Sequence, residues 1–263
     1  MGIGPPSSMP NNPEPHTITA YIHLFEDGFS FCSPTKTQFF SQEAYTLTSS
    51  DSWEEARQNF GLDSTDPVEL VLCNCSAVSV PEAHFDANLL DTYLATSVEK
   101  PIGGTPTFDD AQQSSQISTF YIESAVVTPI KKVFPELQAK HLNSRLMEVI
   151  EPLSRAQIRK RLYVHLRNGW VEFVLCHGAL LWLINRFPQD GPERFLYYLF
   201  YIVEQFDLEP DQFEIVFLGR FPAFEEYYQG AMDYHQEVSW IAVDDSLVGL
   251  ESHPAPFLAS YKP

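Results

Sequence analysis

Positive charge is scarce in this chain. Sixteen lysines and arginines face 35 acidic residues over 263 positions, a net charge of -19. Such a surface repels a phosphate backbone, which argues against general nucleic-acid binding. Long apolar runs are missing too. The best candidate, FVLCHGALLWLI from Phe173, is interrupted by His177 and falls short of the roughly 18 residues a membrane span needs. It reads as a buried strand pair, and no membrane association is expected. The opening MGIGPPSSMPNNPEP has neither the charged nor the apolar region of a signal peptide. Pro6 stands where N-myristoylation would need Ser or Thr. Cysteine occurs only at Cys32, Cys73, Cys75 and Cys176. Without an export signal these are expected to be reduced thiols, which points to the cytoplasm.

Candidate chemistry is equally sparse. Cys73 and Cys75 would put two thiols on one strand face, but no second Cys or His pair has zinc-site spacing. Buried structural cysteine is the expectation, and no metal site is expected. His23 and His165 occupy similar places in two hairpins, so they face one cleft or are satisfied core histidines. No Ser-His-Asp or Cys-His arrangement can be argued, and no catalytic residue is assigned.

What the chain does have is aromatic, alternating sequence. Hydrophobic residues make up 44% and Phe occurs 20 times, enough for a dense core. TITAYIHLFEDGFSFCSP reads as strand, turn at Asp27-Gly28, strand. RLYVHLRNGWVEFVLC reads as the same unit around Asn168-Gly169, the dipeptide that best fits a type I′ turn. After each hairpin come a third strand, a helix, a buried strand, a helix and a closing strand. In the first half these are KTQFFSQEAYTLTS, DSWEEARQNFG (Asp51 and Glu54 as a capping box, Gly61 ending it), VELVLCNCSAVSVP, PEAHFDANLLDTYLATS and STFYIESAVV. A loop is expected from about Lys100 to Gln116. In the second half they are ALLWLINRF, DGPERFLYYLFYIVEQFDL, FEIVFLGRF, FEEYYQGAMDYHQEV and SWIAVDD.

The two turn glycines lie 141 residues apart, spacing that implies a structural duplication. The fold class is therefore α/β, two RNase H-like βββαβαβ lobes. Residues 1–16 are expected as a disordered tail, 17–128 as lobe 1, 129–160 as a helical basic connector, 161–245 as lobe 2 and 246–263 as a C-terminal tail. Nine of the 16 basic residues fall between Lys131 and Arg167, against three acidic ones. That stretch either complements the protein's own acidic surface or docks an acidic partner. Arg155, Arg159, Lys160, Arg161 and Arg167 are the docking candidates. On the long second-lobe helix, Tyr197, Tyr198 and Tyr201 stand at the edge of the apolar stripe, a place for an aromatic hot spot.

The sequence also resembles a bacterial family, domain of unknown function 3822, found mainly in Bacteroidetes. The resemblance rests on EDGFSFC, VPEAHFDANLLDTYL, VFPELQAKHLNSRLMEVI and FLYYLFYIVEQFDLEPDQFEIVFLG, in that order over residues 17–245. It implies an actin-like ATPase superfamily fold and no established activity. That fold holds phosphates between two glycine-bearing hairpins, with an acidic residue organising Mg²⁺. The first hairpin offers Glu26, Asp27, Gly28 and Ser30, with Phe29 beside the turn expected to crowd a phosphate. The second offers Asn168 and Gly169 with no acid and a bulky Trp170. Gly219 alone remains where a glycine pair would meet adenosine. A degenerate site follows. The first reading is a non-catalytic scaffold or protein-interaction protein with no cofactor. The alternatives are a divergent kinase or ATPase using ATP and Mg²⁺, and a small-molecule sensor using the interlobe cleft.

Overall fold

The computed structural model describes residues 18–110, 116–244 and 246–260. The tail expected over 1–16 lies outside the described residues. The first lobe opens with β1 (Ala20–Phe25), β2 (Gly28–Cys32) and β3 (Thr37–Ser41), an antiparallel meander, followed by α1 (Ser50–Phe60) and β4 (Val68–Leu72). β4 lies parallel to β1, because the α1 crossover returns the chain to the same end of the sheet.

What comes next departs from the expected plan. The apolar run after Val68 breaks at Leu72, so Cys73 and Cys75 do not share a strand. β5 (Ala77–Pro81), β6 (Gly104–Asp110) and β7 (Gln116–Glu123) form a separate three-stranded antiparallel sheet, order β5-β7-β6. The helix expected from Pro81 is two short 3-10 turns and α2 (Leu90–Ala95). The loop expected from Lys100 to Gln116 is partly β6. The first lobe's own second helix and last strand are α3 (Ser124–Val133), which runs into the stretch expected as a connector, and β8 (Gln138–His141), which lies inside it; β8 runs parallel to β4. α4 (Leu142–Arg155), buried along most of its length, leads into the second lobe.

There β9 (Lys160–Arg167), β10 (Trp170–His177), β11 (Leu180–Pro188), α5 (Pro192–Gln205), β12 (Phe213–Phe217), α6 (Glu225–Tyr234) and β13 (Val238–Trp240) follow the expected order. The two five-stranded sheets, β3-β2-β1-β4-β8 and β11-β10-β9-β12-β13, have the same connectivity and strand directions. Residues 246–260 do not form the tail expected over 246–263. Leu247 and Leu250 are buried, and residues 253–260, with α7 (Pro256–Ser260), are buried throughout. Among the described residues no helix is long and apolar enough to cross a membrane.

Two local expectations change for physical reasons. α1 is capped at Ser49 without a side-chain bond, and Glu54 turns instead to Arg57 and Gln58. Gly61 does end the helix in the left-handed region at φ +85°, its N–H reaching the carbonyls of Arg57 and Gln58. Phe29 points away from the seam, its ring 3.9 Å from Trp53 of α1 and stacked 5.2 Å from Phe40. Alternation along the strand explains this: Phe29 and Phe31 share the outer face, and Ser30 and Cys32 the inner one. Replacing Phe29 by Ala should cost about 3–5 kcal/mol of stability in urea unfolding, the range for a fully buried aromatic. A loss below about 1 kcal/mol would mean the ring is not in this core.

Candidate functional site

The two hairpins meet at the seam between lobes, but their turns are not equivalent. Phe25 pairs with Gly28, so the first loop is Glu26-Asp27, one residue earlier than expected. Arg167 pairs with Trp170, so the second loop is Asn168-Gly169. Glu26 thus corresponds to Asn168, and His23 to His165. Gly28 is a strand residue: a Cβ there would sit 2.2 Å from the Phe40 carbonyl oxygen, which only glycine permits. Gly169 adopts φ +74°, whereas Asn168 is not at positive φ, so the turn is not type I′. Its geometry suits the outward N–H of Asn168, which donates to the Pro254 carbonyl at 2.8 Å.

Arg167 lies at the centre of the seam. Its Nε donates to Glu172 at 2.8 Å, Nη1 to Glu26 at 3.2 Å and Nη2 to the Cys73 carbonyl at 3.0 Å. Arg186 joins the same two acceptors of lobe 1, Glu26 and Cys73, each at 3.2 Å, with its guanidinium 4.3 Å above the Trp170 ring. The second oxygen of Glu172 takes the Nδ1 proton of His165 at 2.7 Å. Burial alone would raise the Glu172 pKa; Arg167 and His165 outweigh it and hold the carboxyl down at about 2. Desolvation likewise opposes the charge on Arg167, and Glu172 more than restores it.

The C-terminal segment lies over this layer. Val248 exchanges backbone hydrogen bonds with Thr35 and Thr37 beside β3, and Gly249 at φ +87° comes so close that a Cβ would be 2.3 Å from the Thr37 carbonyl. His253 enters a buried cluster with His23, Ser30 and Cys32. Its Nδ1 accepts the Ala255 N–H at 3.0 Å, which leaves the proton on Nε2, 2.7 Å from the Ser30 hydroxyl. Cys32 Sγ sits 3.5 Å from His23 Nδ1 and 3.0 Å from the Thr37 hydroxyl. His23, Cys32 and His253 carry donor atoms within 4.8 Å of one another. They do not suit a metal ion, because His253 would have to offer the nitrogen that bears its proton. Burial also pushes the Cys32 thiol up to about 11. The cluster is a hydrogen-bonded anchor. Phe257 packs against His165 at 5.9 Å between ring centroids.

The sequence-expected residues are thus scattered among different jobs. Glu26 is an interlobe ion-pair partner, and Ser30 is buried and bonded to His253. Asp27 is exposed at the turn tip. Gly219, at φ +81°, lies beneath the Phe221 ring, where a Cβ would meet it at 2.4 Å. Of the docking candidates, Arg167 is only 1% exposed and is not a surface residue. Arg155 pairs with Glu151, Arg161 with Glu214 and Arg159 with Glu237, while Lys160 covers the Trp182 ring. Beside the second turn a cleft of about 930 Å³ remains, lined by Asn168, Phe221, Phe224, Leu250 and His253 among others. The C-terminal segment was missed in the sequence because it carries no periodicity. Its one hint was the buried-type run PAPFLAS after His253.

Comparison with known proteins agrees with this architecture. The family described as "Protein of unknown function (DUF3822)" matches residues 14–238. No curated protein matches the sequence. A Bacteroides thetaiotaomicron VPI-5482 protein with an actin-like ATPase fold and unknown function is similar at TM-score 0.73 and 18% identity, over 94% of this chain and 97% of that one. A chain of the PilM–PilN type IV pilus biogenesis complex is similar at TM-score 0.57 and 9% identity, over 89% and 91%. At these identities the likeness shows the actin-like fold.

Two outcomes follow from the seam. Glu172→Gln should destabilise the chain by about 3–5 kcal/mol in urea unfolding, since it strands a buried guanidinium; a change under about 1 kcal/mol would refute the pairing. Burial lowers His253 to about 3, so its neutral form is required in the folded state. Its contribution is complete above the unfolded value near 6.5 and falls away as pH drops toward 3. From pH 7 to 5 this costs about 2 kcal/mol. His253→Asn should lose correspondingly less over that interval than the wild type. Equal losses would show that His253 is not the group titrating.

Proposed function

The chain belongs to the family of unknown function DUF3822, and from that premise we propose that it is a non-catalytic, protein-binding member of the actin-like ATPase fold. The observation that carries this reading is the C-terminal segment in the seam, with the Pro254 carbonyl on the Asn168 N–H. In this fold a turn amide at that place would face a phosphate oxygen; here it already has a partner from the same chain. The acid expected to organise Mg²⁺, Glu26, is neutralised by Arg167 and Arg186. Its counterpart in the second hairpin is Asn168, which carries no charge. One turn amide and the one hairpin carboxylate that Mg·ATP would use are thus already engaged within the chain. Protein binding is a use that such a two-lobe body can keep without a nucleotide, and a similar chain occurs in the PilM–PilN complex.

The small-molecule sensor is the second reading, favoured by the cleft of about 930 Å³ beside Asn168 and Phe221, a volume within the usual range for ligand sites.

Calorimetric titration with Mg·ATP tests the first reading. No saturable heat at millimolar nucleotide is the expected result. Saturable heat that Glu26→Ala removes would reinstate a nucleotide-dependent kinase or ATPase. Saturable heat with adenosine alone would favour the sensor.

A further inference from the structure

α5 is apolar nearly all the way round, which is unusual for a helix with one face open to water. Phe195, Leu199 and Ile202 face the core. On the opposite side Tyr197 is 64% exposed, Phe200 43% and Tyr201 48%. α6 extends this surface. Gly230 lets the two helices approach, since a Cβ there would stand 3.2 Å from Leu196, and Tyr234, 67% exposed, lies edge-on to Phe200 at 5.1 Å. Four exposed aromatic rings on two adjoining helices are more than scattered surface apolarity.

The charges around them are predominantly negative. Glu193, Tyr197, Tyr201 and Glu204 follow one another at helical spacing, so the aromatic stripe is bracketed by carboxylates. Asp233 adjoins Tyr234. Between Pro192 and Tyr234 the chain has nine acidic residues and only two arginines. Arg194 is tied to Asp190 and Arg220 to Glu225. A second copy of this chain would bring the same carboxylates face to face, and an anionic lipid surface would be repelled in the same way.

Building on the protein-binding reading above, we propose that the outer face of α5 and α6 docks an amphipathic helix of a partner, its apolar stripe flanked by lysines or arginines. The aromatic rings supply the buried contact and the carboxylates select the sign of the rim. This puts the docking surface on an acidic aromatic face, away from the basic stretch.

The test is fluorescence anisotropy with a labelled amphipathic Leu/Lys helical peptide and the full chain. Saturable binding is expected, weakened about tenfold or more by Tyr197→Ser/Tyr201→Ser, which leaves every charge in place. Glu204→Lys/Asp233→Lys should weaken it similarly, and a Leu/Glu peptide should not bind. If the tyrosine variant keeps its thermal midpoint yet binds the Leu/Lys peptide as tightly as wild type, the peptide is held by net charge alone and the proposal falls. That failure would leave the protein-binding reading intact, because its own test is the nucleotide titration. A concentration-dependent dimer in sedimentation that the tyrosine variant abolishes would overturn the proposal in favour of a second copy.

Discussion

A guanidinium taken out of water must find its full set of acceptors inside the protein, and Arg167 finds them on both sides of the seam. Glu172 comes from its own sheet; Glu26 and the Cys73 carbonyl come from the other lobe. Breaking such an arrangement costs far more than replacing it wholesale would. It therefore constrains how the lobes can meet, because both Glu26 and the Cys73 carbonyl must reach the one guanidinium. Other features of the seam follow. Glu26 is held against arginines, His165 is oriented by the remaining oxygen of Glu172, and Arg186 is laid over Trp170. With the lobes joined this way, the hollow beside the hairpin turns is bounded by polar groups that need covering. The C-terminal segment covers them, ending in a stretch with every residue from His253 to Ser260 buried.

Much of the fold was legible wherever local rules dominate. The hairpins showed in period-two alternation, α5 in a long apolar helix beginning with Pro, and the end of α1 in Gly61. The order of elements was read correctly through the second lobe, and in the first lobe only as far as β4. What escaped was set at long range. Asp27-Gly28 reads as a turn by composition, yet the register is decided by the close approach of Gly28 to the Phe40 carbonyl, a contact between strands. β8 is four residues, QAKH, with no pattern to reveal it, and only its pairing with β4 makes it a strand. β6 contains Gly104 and Pro106 and reads as loop until β7 supplies its ladder. Arg167 read as one more basic residue in a basic stretch; its inward partners are Glu172 across the hairpin and Glu26, 141 positions away.

The candidate site shows the same division. The absence of an acid at Asn168 and the bulk of Trp170 were visible in the second hairpin. The reason offered for the first hairpin was wrong in kind. Phe29 packs against Trp53 on the outer face and does not obstruct the seam. What lies over the seam is residues 247–260, whose sequence has the proline and serine content of a loop and in which His253, Pro254 and Phe257 each find a distant partner. The segment covers part of the seam and leaves the cleft of about 930 Å³ beside Asn168 and Phe221. The aromatic face of α5 and α6 differs most from ordinary surface.

The central claim is that the C-terminal segment is part of the folded seam. Amide hydrogen exchange of Leu247–Ser260 at neutral pH, with the Asn168 amide followed in the same experiment, tests it most directly. Protection of these amides approaching that of β9 and β10 is the predicted result. Exchange within seconds, at the rate of an open chain, would mean that the cleft is vacant in solution and would contradict the account.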